Sequence, residues 1–226
     1  MNAAEQEISQ TGYLGCGEQS NCVSGLTPEV MTEIYQEQIN LVVLQRSLGQ
    51  EVSDYCQRLI ESRPGFNLRS VIDPEKAALS LRSLLPDLNS KSVFIDDLAL
   101  LLEMYSYLFE LDEVGLRLQV LDRAMCPRFH VDKLGCRLVS TYLGQGTEWL
   151  YNSDVDRSKL GSGNIGLSDE APGLLTTPAC IQQVNSGDVV LLKGDGWYGN
   201  EGLGAVHRSP SLSDGEKRIV VTMDFA

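Results

Sequence analysis

The sequence predicts an α+β fold in which a helical N-terminal portion packs on an antiparallel β-rich C-terminal core, and three features carry that expectation. Apolar residues recur at helical spacing in several stretches before residue 113. From Val114 onward the pattern changes to short alternating or β-branched runs separated by Gly, Asp, Ser and Pro, as an antiparallel sheet is written. Both histidines of the chain, His130 and His207, fall in that second part. With 42% apolar and 22% charged residues among 226, the composition is that of a globule able to bury a core, which excludes disordered and fibrous classes.

Residues 1–25 read as a mobile leader, rich in Gly, Ser, Gln and Asn and without an apolar period. The helical portion spans 26–113. Thr27-Pro28-Glu29 supplies an N-cap, a first-turn proline and an acidic first turn, and Val30, Ile34 and Tyr35 follow on one face. Ile39 to Leu44 is β-branched enough to be a short buried strand. Val52, Tyr55, Cys56, Leu59 and Ile60 mark an amphipathic helix that Arg63-Pro64-Gly65 stops. A strand is expected from Asn67 to Ile72, a helix from Asp73-Pro74-Glu75 to about Leu85, and the longest helix from Ser92 to about Leu111. In the core, 114–226, strands are expected at Leu116 to Leu121, Arg137 to Tyr142, Val189 to Leu192, Ala205 to His207 and Arg218 to Phe225. Tyr151 to Pro178 reads as a Gly/Ser/Asp-rich loop whose acidic residues Asp154, Asp156, Asp169 and Glu170 form a solvated face; the ligand order of a calcium loop is absent.

The net charge of −13 argues against a nucleic-acid partner, which needs clustered Lys and Arg. No apolar run approaches the roughly 20 residues that cross a bilayer. Met1 to Gln10 lacks the basic start and apolar stretch of a secretory signal, so a cytoplasmic location without membrane partners is expected. In that compartment the six cysteines read as thiols rather than a disulfide framework, with Cys56, Cys126, Cys136 and Cys180 in packing roles. Cys16 and Cys22 are too widely spaced for the usual zinc knuckle and have no second ligand pair nearby.

The chemistry-bearing motif is His130-Val131-Asp132, followed more than seventy positions later by His207. Residues i and i+2 of an extended chain point to one side, so one strand end presents both His130 and Asp132. A neighbouring strand that folds back brings His207 to them. Two imidazoles and one carboxylate form a facial triad that leaves positions open for reactants. The structural alternative for His130 and Asp132 is an ordinary histidine bonded to a nearby carboxylate.

The order His130-Val131-Asp132, a strand at Arg137 to Tyr142, Gly187-Asp188-Val189-Val190-Leu191-Leu192, His207 and a basic residue on the final strand resembles the double-stranded β-helix, jelly-roll or cupin-like, of the Fe(II)/2-oxoglutarate-dependent oxygenases. That resemblance implies Fe(II) held by His130, Asp132 and His207. It also implies 2-oxoglutarate gripped by Arg218, eleven positions past His207, and a small-molecule or peptide substrate that is hydroxylated or demethylated. Arg suits the role because its planar fork pairs bidentately with a carboxylate. Arg208, Arg137 and Lys217 compete for it. Many members carry Arg-x-Ser on the last strand; Arg218-Ile219-Val220 has no hydroxyl there, and Tyr142, Thr141 or Thr222 stand as substitutes. Arg128, Glu148 and Trp149 are candidates for a substrate pocket. Cys126 to Asp132 with Thr141-Tyr142-Leu143-Gly144 and Gly146-Thr147-Glu148-Trp149 resembles more closely a bacterial domain-of-unknown-function family, number 1826, that covers nearly the whole chain. Ligand types alone leave open a cupin-like zinc protein without oxygenase turnover, and a scaffold that lost both metal and chemistry.

Overall fold

Side-chain alternation along the strands sorts the C-terminal half into a face turned to helices and a face turned to a second sheet. The computed structural model describes residues 20–161, 166, 168, 169, 171 and 173–226. Its helices are α1 (Gln50–Ser62), α2 (Ala77–Leu84) and α3 (Lys91–Phe109). The strands are β1 (Cys22–Gly25), β2 (Leu41–Leu44), β3 (Asn67–Ile72), β4 (Val114–Leu121), β5 (Cys136–Leu143), β6 (Glu148–Trp149), β7 (Gln182–Gln183), β8 (Val189–Lys193), β9 (His207–Arg208) and β10 (Arg218–Phe225).

The large sheet has the order β1-β2-β8-β5-β10-β4-β3 and the small one β7-β6-β9, which His130 extends through an isolated antiparallel bridge to His207. From β4 onward the chain visits the large sheet, then the small one at His130, the large at β5, the small at β6 and β7, the large at β8, the small at β9 and the large at β10. Such alternation between two facing sheets is a double-stranded β-helix, so the expected α+β core is present. Val139, Val190, Leu192 and Val220 of the large sheet meet Trp149, Val184 and Ala205 from the small-sheet side across the interior.

The opposite face of the large sheet carries Leu116, Leu118, Cys136, Leu138, Ile219 and Val221 against Phe94, Leu98, Leu102 and Tyr105 of α3. Burial of each large apolar side chain there contributes about 1.5–3 kcal/mol, which is why α3 needs a broad apolar face. Tyr55 of α1 stacks on Phe94 at 4.6 Å, and Phe94 meets Tyr142 edge-on at 5.1 Å, tying two helices to β5.

Several elements differ from expectation. Cys22–Gly25, within the stretch read as leader, pairs parallel with β2, so order begins before Thr27. Pro28–Tyr35 is a 3-10 helix. Asp73 accepts the Glu75 amide and caps a 3-10 turn that precedes α2. The strand expected from Ala205 starts at His207. Within the described part of 151–178, Val155, Leu160, Leu174 and Leu175 cover Phe129, Leu150 and Val206 on the outer face of the small sheet. Asp169 is buried there rather than solvated, because it accepts the Phe129 amide at 2.6 Å; Glu170 lies outside the described residues. Cys56 and Cys136 are buried as expected, whereas Cys126, in the irregular stretch before Pro127, is exposed. Cys16 lies outside the described residues. Among the described residues no helix is long and apolar enough to cross a membrane.

Candidate metal centre

His130 and His207 sit directly opposite each other, each amide donating to the other's carbonyl at 3.0 Å. That pairing sets the imidazoles side by side with ring centroids 4.5 Å apart. Nδ1 of His130 lies 2.9 Å from the Arg128 carbonyl, and Nδ1 of His207 lies 3.0 Å from the Ala205 carbonyl. A carbonyl only accepts, so each Nδ1 carries a hydrogen and Nε2 is the nitrogen turned to a metal. Burial, with the neighbouring His130 second, holds the His207 imidazole down from 6.5 to about 4, so it is neutral at pH 7.

Asp132, two residues beyond His130, completes the cluster. Its Oδ1 is 3.7 Å from Nε2 of His130 and its Oδ2 is 3.7 Å from Nε2 of His207. One ligand atom from each residue lies within 4.8 Å of the other two. Ligands bound at about 2.1 Å and at right angles are about 3 Å apart, so the three side chains must draw closer than their present spacing to share an ion. Two imidazoles and a carboxylate are a donor set that fits a divalent transition metal.

Two arginines line the same interior in different states. Arg137 Nη1 donates to Asp132 Oδ2 at 2.8 Å, while its Nε and Nη2 donate to Asp224 Oδ1 and Oδ2 at 2.6 and 3.0 Å. Arg218, 2% exposed, donates from Nη2 to the hydroxyls of Thr141 and Thr147 at 2.9 and 3.0 Å, and its Nε has no partner among the described residues. Burial without a compensating carboxylate pushes its guanidinium down from 12.5 to about 10. Thr147 precedes β6, whose Trp149 faces His207 in register, so one short strand reaches from the arginine to the imidazoles.

The other sequence candidates separate by strand face. Tyr142 shares the helix side of β5 with Leu138 and Cys136, and its hydroxyl donates to Asp97 Oδ2 at 2.5 Å. Thr141, on the interior side, holds Arg218 in its place, together with Thr147, which the sequence reading missed. Thr222 lies farther along the interior face of β10. Arg208 pairs with Glu148 at 2.6 Å and lies over the Phe129 ring at 4.3 Å, and Arg128 is 3.6 Å from buried Asp169. Alternation turns Glu148 and Arg208 to the outer face of the small sheet and leaves Trp149 inside, beside His207. Lys217 lies 3.5 Å from Asp122. Asp224, also missed, shares the face of Arg218 by the even spacing of β10.

No curated protein matches the chain. Among solved structures, a prolyl-4-hydroxylase from Pseudomonas putida is similar over 88% of this chain and 97% of its own, at 12% identity and a TM-score of 0.43. A putative oxygenase from Shewanella oneidensis is similar over 92% of this chain and 90% of its own, at 10% identity and a TM-score of 0.47. HygX from Streptomyces hygroscopicus, with iron bound, is similar over 88% of this chain and 85% of its own, at 13% identity and a TM-score of 0.46. The model of a family described as protein of unknown function (DUF1826) matches residues 25–224, nearly the whole chain, which therefore belongs to the DUF1826 family.

Proposed function

We propose that the protein is an Fe(II)- and 2-oxoglutarate-dependent oxygenase that hydroxylates or demethylates a small-molecule or peptide-borne substrate. The observation that carries this reading is Arg218, a buried guanidinium with an unpartnered Nε in the same interior as two imidazoles and a carboxylate. A buried cation without an anion is costly, and a dicarboxylate that reaches it from the ion would offset that cost.

In this reading His130, Asp132 and His207 would hold Fe(II), which would supply oxygen activation coupled to oxidative decarboxylation of 2-oxoglutarate to succinate and carbon dioxide. The backbone carbonyls at Arg128 and Ala205 keep both Nε2 lone pairs aimed at the ion. Arg218 receives the far carboxylate of the co-substrate on its unpartnered Nε–H, while Thr141 and Thr147 hold Nη2 and with it the plane of the fork. Val139, Leu192 and Val220 wall the interior with apolar surface that limits water around the reacting centre.

The test is protein loaded anaerobically with Fe(II), then exposed to oxygen and 2-oxoglutarate, with succinate as the readout. Succinate release that requires Fe(II), and that falls at least about 100-fold in both H207A and R218M, is expected. Stoichiometric zinc with no response to 2-oxoglutarate would contradict the oxygenase reading.

A further inference from the structure

We propose that Arg137, anchored by Asp224, is a positioning residue that restricts Asp132 to metal coordination through one oxygen. The inference rests on the metal-site reading above. A carboxylate on two free torsions can offer an ion either one oxygen or both. Here Oδ2 is engaged by Arg137 Nη1 at 2.8 Å, which leaves Oδ1, on the His130 side, as the oxygen without that tie. Arg137 is in turn locked, because both oxygens of Asp224 on the adjacent strand receive its Nε and Nη2. Such a fork-to-carboxylate pair fixes the plane of the guanidinium as well as its place. Both partners are largely buried, with side chains 17% and 12% exposed. Arg117, 3.7 Å from Asp224, balances the group: Asp132 and Asp224 against Arg137 and Arg117. Orientation, rather than net charge, is therefore what the cluster supplies to the ion.

Single-oxygen coordination matters because a second carboxylate oxygen would occupy a position that a reactant needs. The sequence alone suggested Arg137 as a rival for the co-substrate; its engagement with two protein carboxylates gives it a different task. Deleting Arg137 by itself leaves Asp132 and Asp224 with Arg117 as their one remaining arginine, and that excess negative charge near the ion would draw a cation in. The informative variant is therefore the charge-neutral pair R137M/D224N.

The experiment titrates the metal-free full chain with Co(II) alone, by calorimetry for affinity and by visible absorption for coordination, with far-UV circular dichroism to check the fold. Affinity is expected to fall roughly 10- to 100-fold in R137M/D224N, the usual loss when a residue that orients a ligand is removed. R137K, which keeps one donor and the charge, is expected to recover part of that loss, and the cobalt band of the double variant is expected to change as Asp132 is released. Should the double variant fail to fold, D224N alone, isosteric and milder, is expected to weaken binding several-fold. Wild-type affinity and an unchanged band in the folded variant, with binding abolished in H207A, would overturn the proposal while leaving the metal site standing. Wild-type binding in H207A would overturn the site itself.

Discussion

His207 and Arg218 show burial acting on two bases with opposite results. The imidazole gives up its proton and so has a lone pair to offer an ion; the guanidinium, far more basic, stays a cation even when burial lowers it to about 10. For His207 the consequence in the metal-free protein is a pH-dependent stability. Its folded value is about 4 against 6.5 for the exposed group, so between those values the unfolded chain binds the proton and the folded chain does not. The stability present above pH 6.5 is therefore lost as pH falls towards 4. The urea midpoint of metal-free protein is expected to drop between pH 7 and pH 5, and the drop is expected to shrink in H207N. At this scale the sequence was legible where a residue type is rare and its spacing diagnostic: two histidines, one Asp at i+2, one Arg on the last strand. Thr147 and Asp224 were not legible. Threonine and aspartate occur everywhere, and their roles arise from cross-strand neighbours, not from spacing along the chain.

Elements position the candidate ligands through backbone contact as much as through side chains. The segment that carries Asp132 is strapped to the end of β8: the Asp195 amide donates to the Asp132 carbonyl at 2.9 Å and the Gly196 amide to the Leu134 carbonyl at 3.0 Å. Gly194 lies so close that a Cβ added there would fall 2.2 Å from the Leu134 oxygen and 2.7 Å from the Asp132 oxygen. G194A must push the ligand-bearing segment away. It is expected to cost about 1–3 kcal/mol in urea unfolding, as overpacking does, and to weaken Co(II) binding measured by calorimetry. Gly199, at φ 79 with nothing within 4 Å of an added Cβ, is the control: G199A is expected to cost about 1–2 kcal/mol and to leave Co(II) affinity unchanged. Wild-type metal affinity in G194A would show that the strap does not set the site. The long periodic elements, α1, α3, β4 and β10, were legible in the sequence because each repeats its pattern several times. β6, β7 and β9, two residues each, carry no period, and β1 lies in a stretch without one. The 3-10 helix at Pro28–Tyr35 offers apolar spacing close to that of an α-helix, which is why it was read as one.

The described residues form three layers: helices, the large sheet, and the small sheet with its covering segment. The middle layer is apolar towards the helices and mixed towards the small sheet, and only that mixed interior gathers His130, Asp132, His207, Arg137 and Arg218. The fold class was legible because helical periodicity stops near residue 113 and strand texture begins. The assignment of outer and inner faces on the small sheet was not, so Glu148 was grouped with a substrate pocket and Arg208 with the co-substrate, although both lie on the outer face. A chain of net charge −13 that keeps inside it an arginine with no carboxylate partner among the described residues fits an anionic ligand at that place. The most direct measurement is an anaerobic titration of Fe(II)-loaded protein with 2-oxoglutarate, followed by the visible charge-transfer absorption that chelation by the keto acid produces. One Fe(II) per chain, a band that saturates with one equivalent of 2-oxoglutarate, and a requirement for about 100-fold more of it in R218M are the predicted results. No band, or the same titration curve in R218M as in the wild type, would contradict the account.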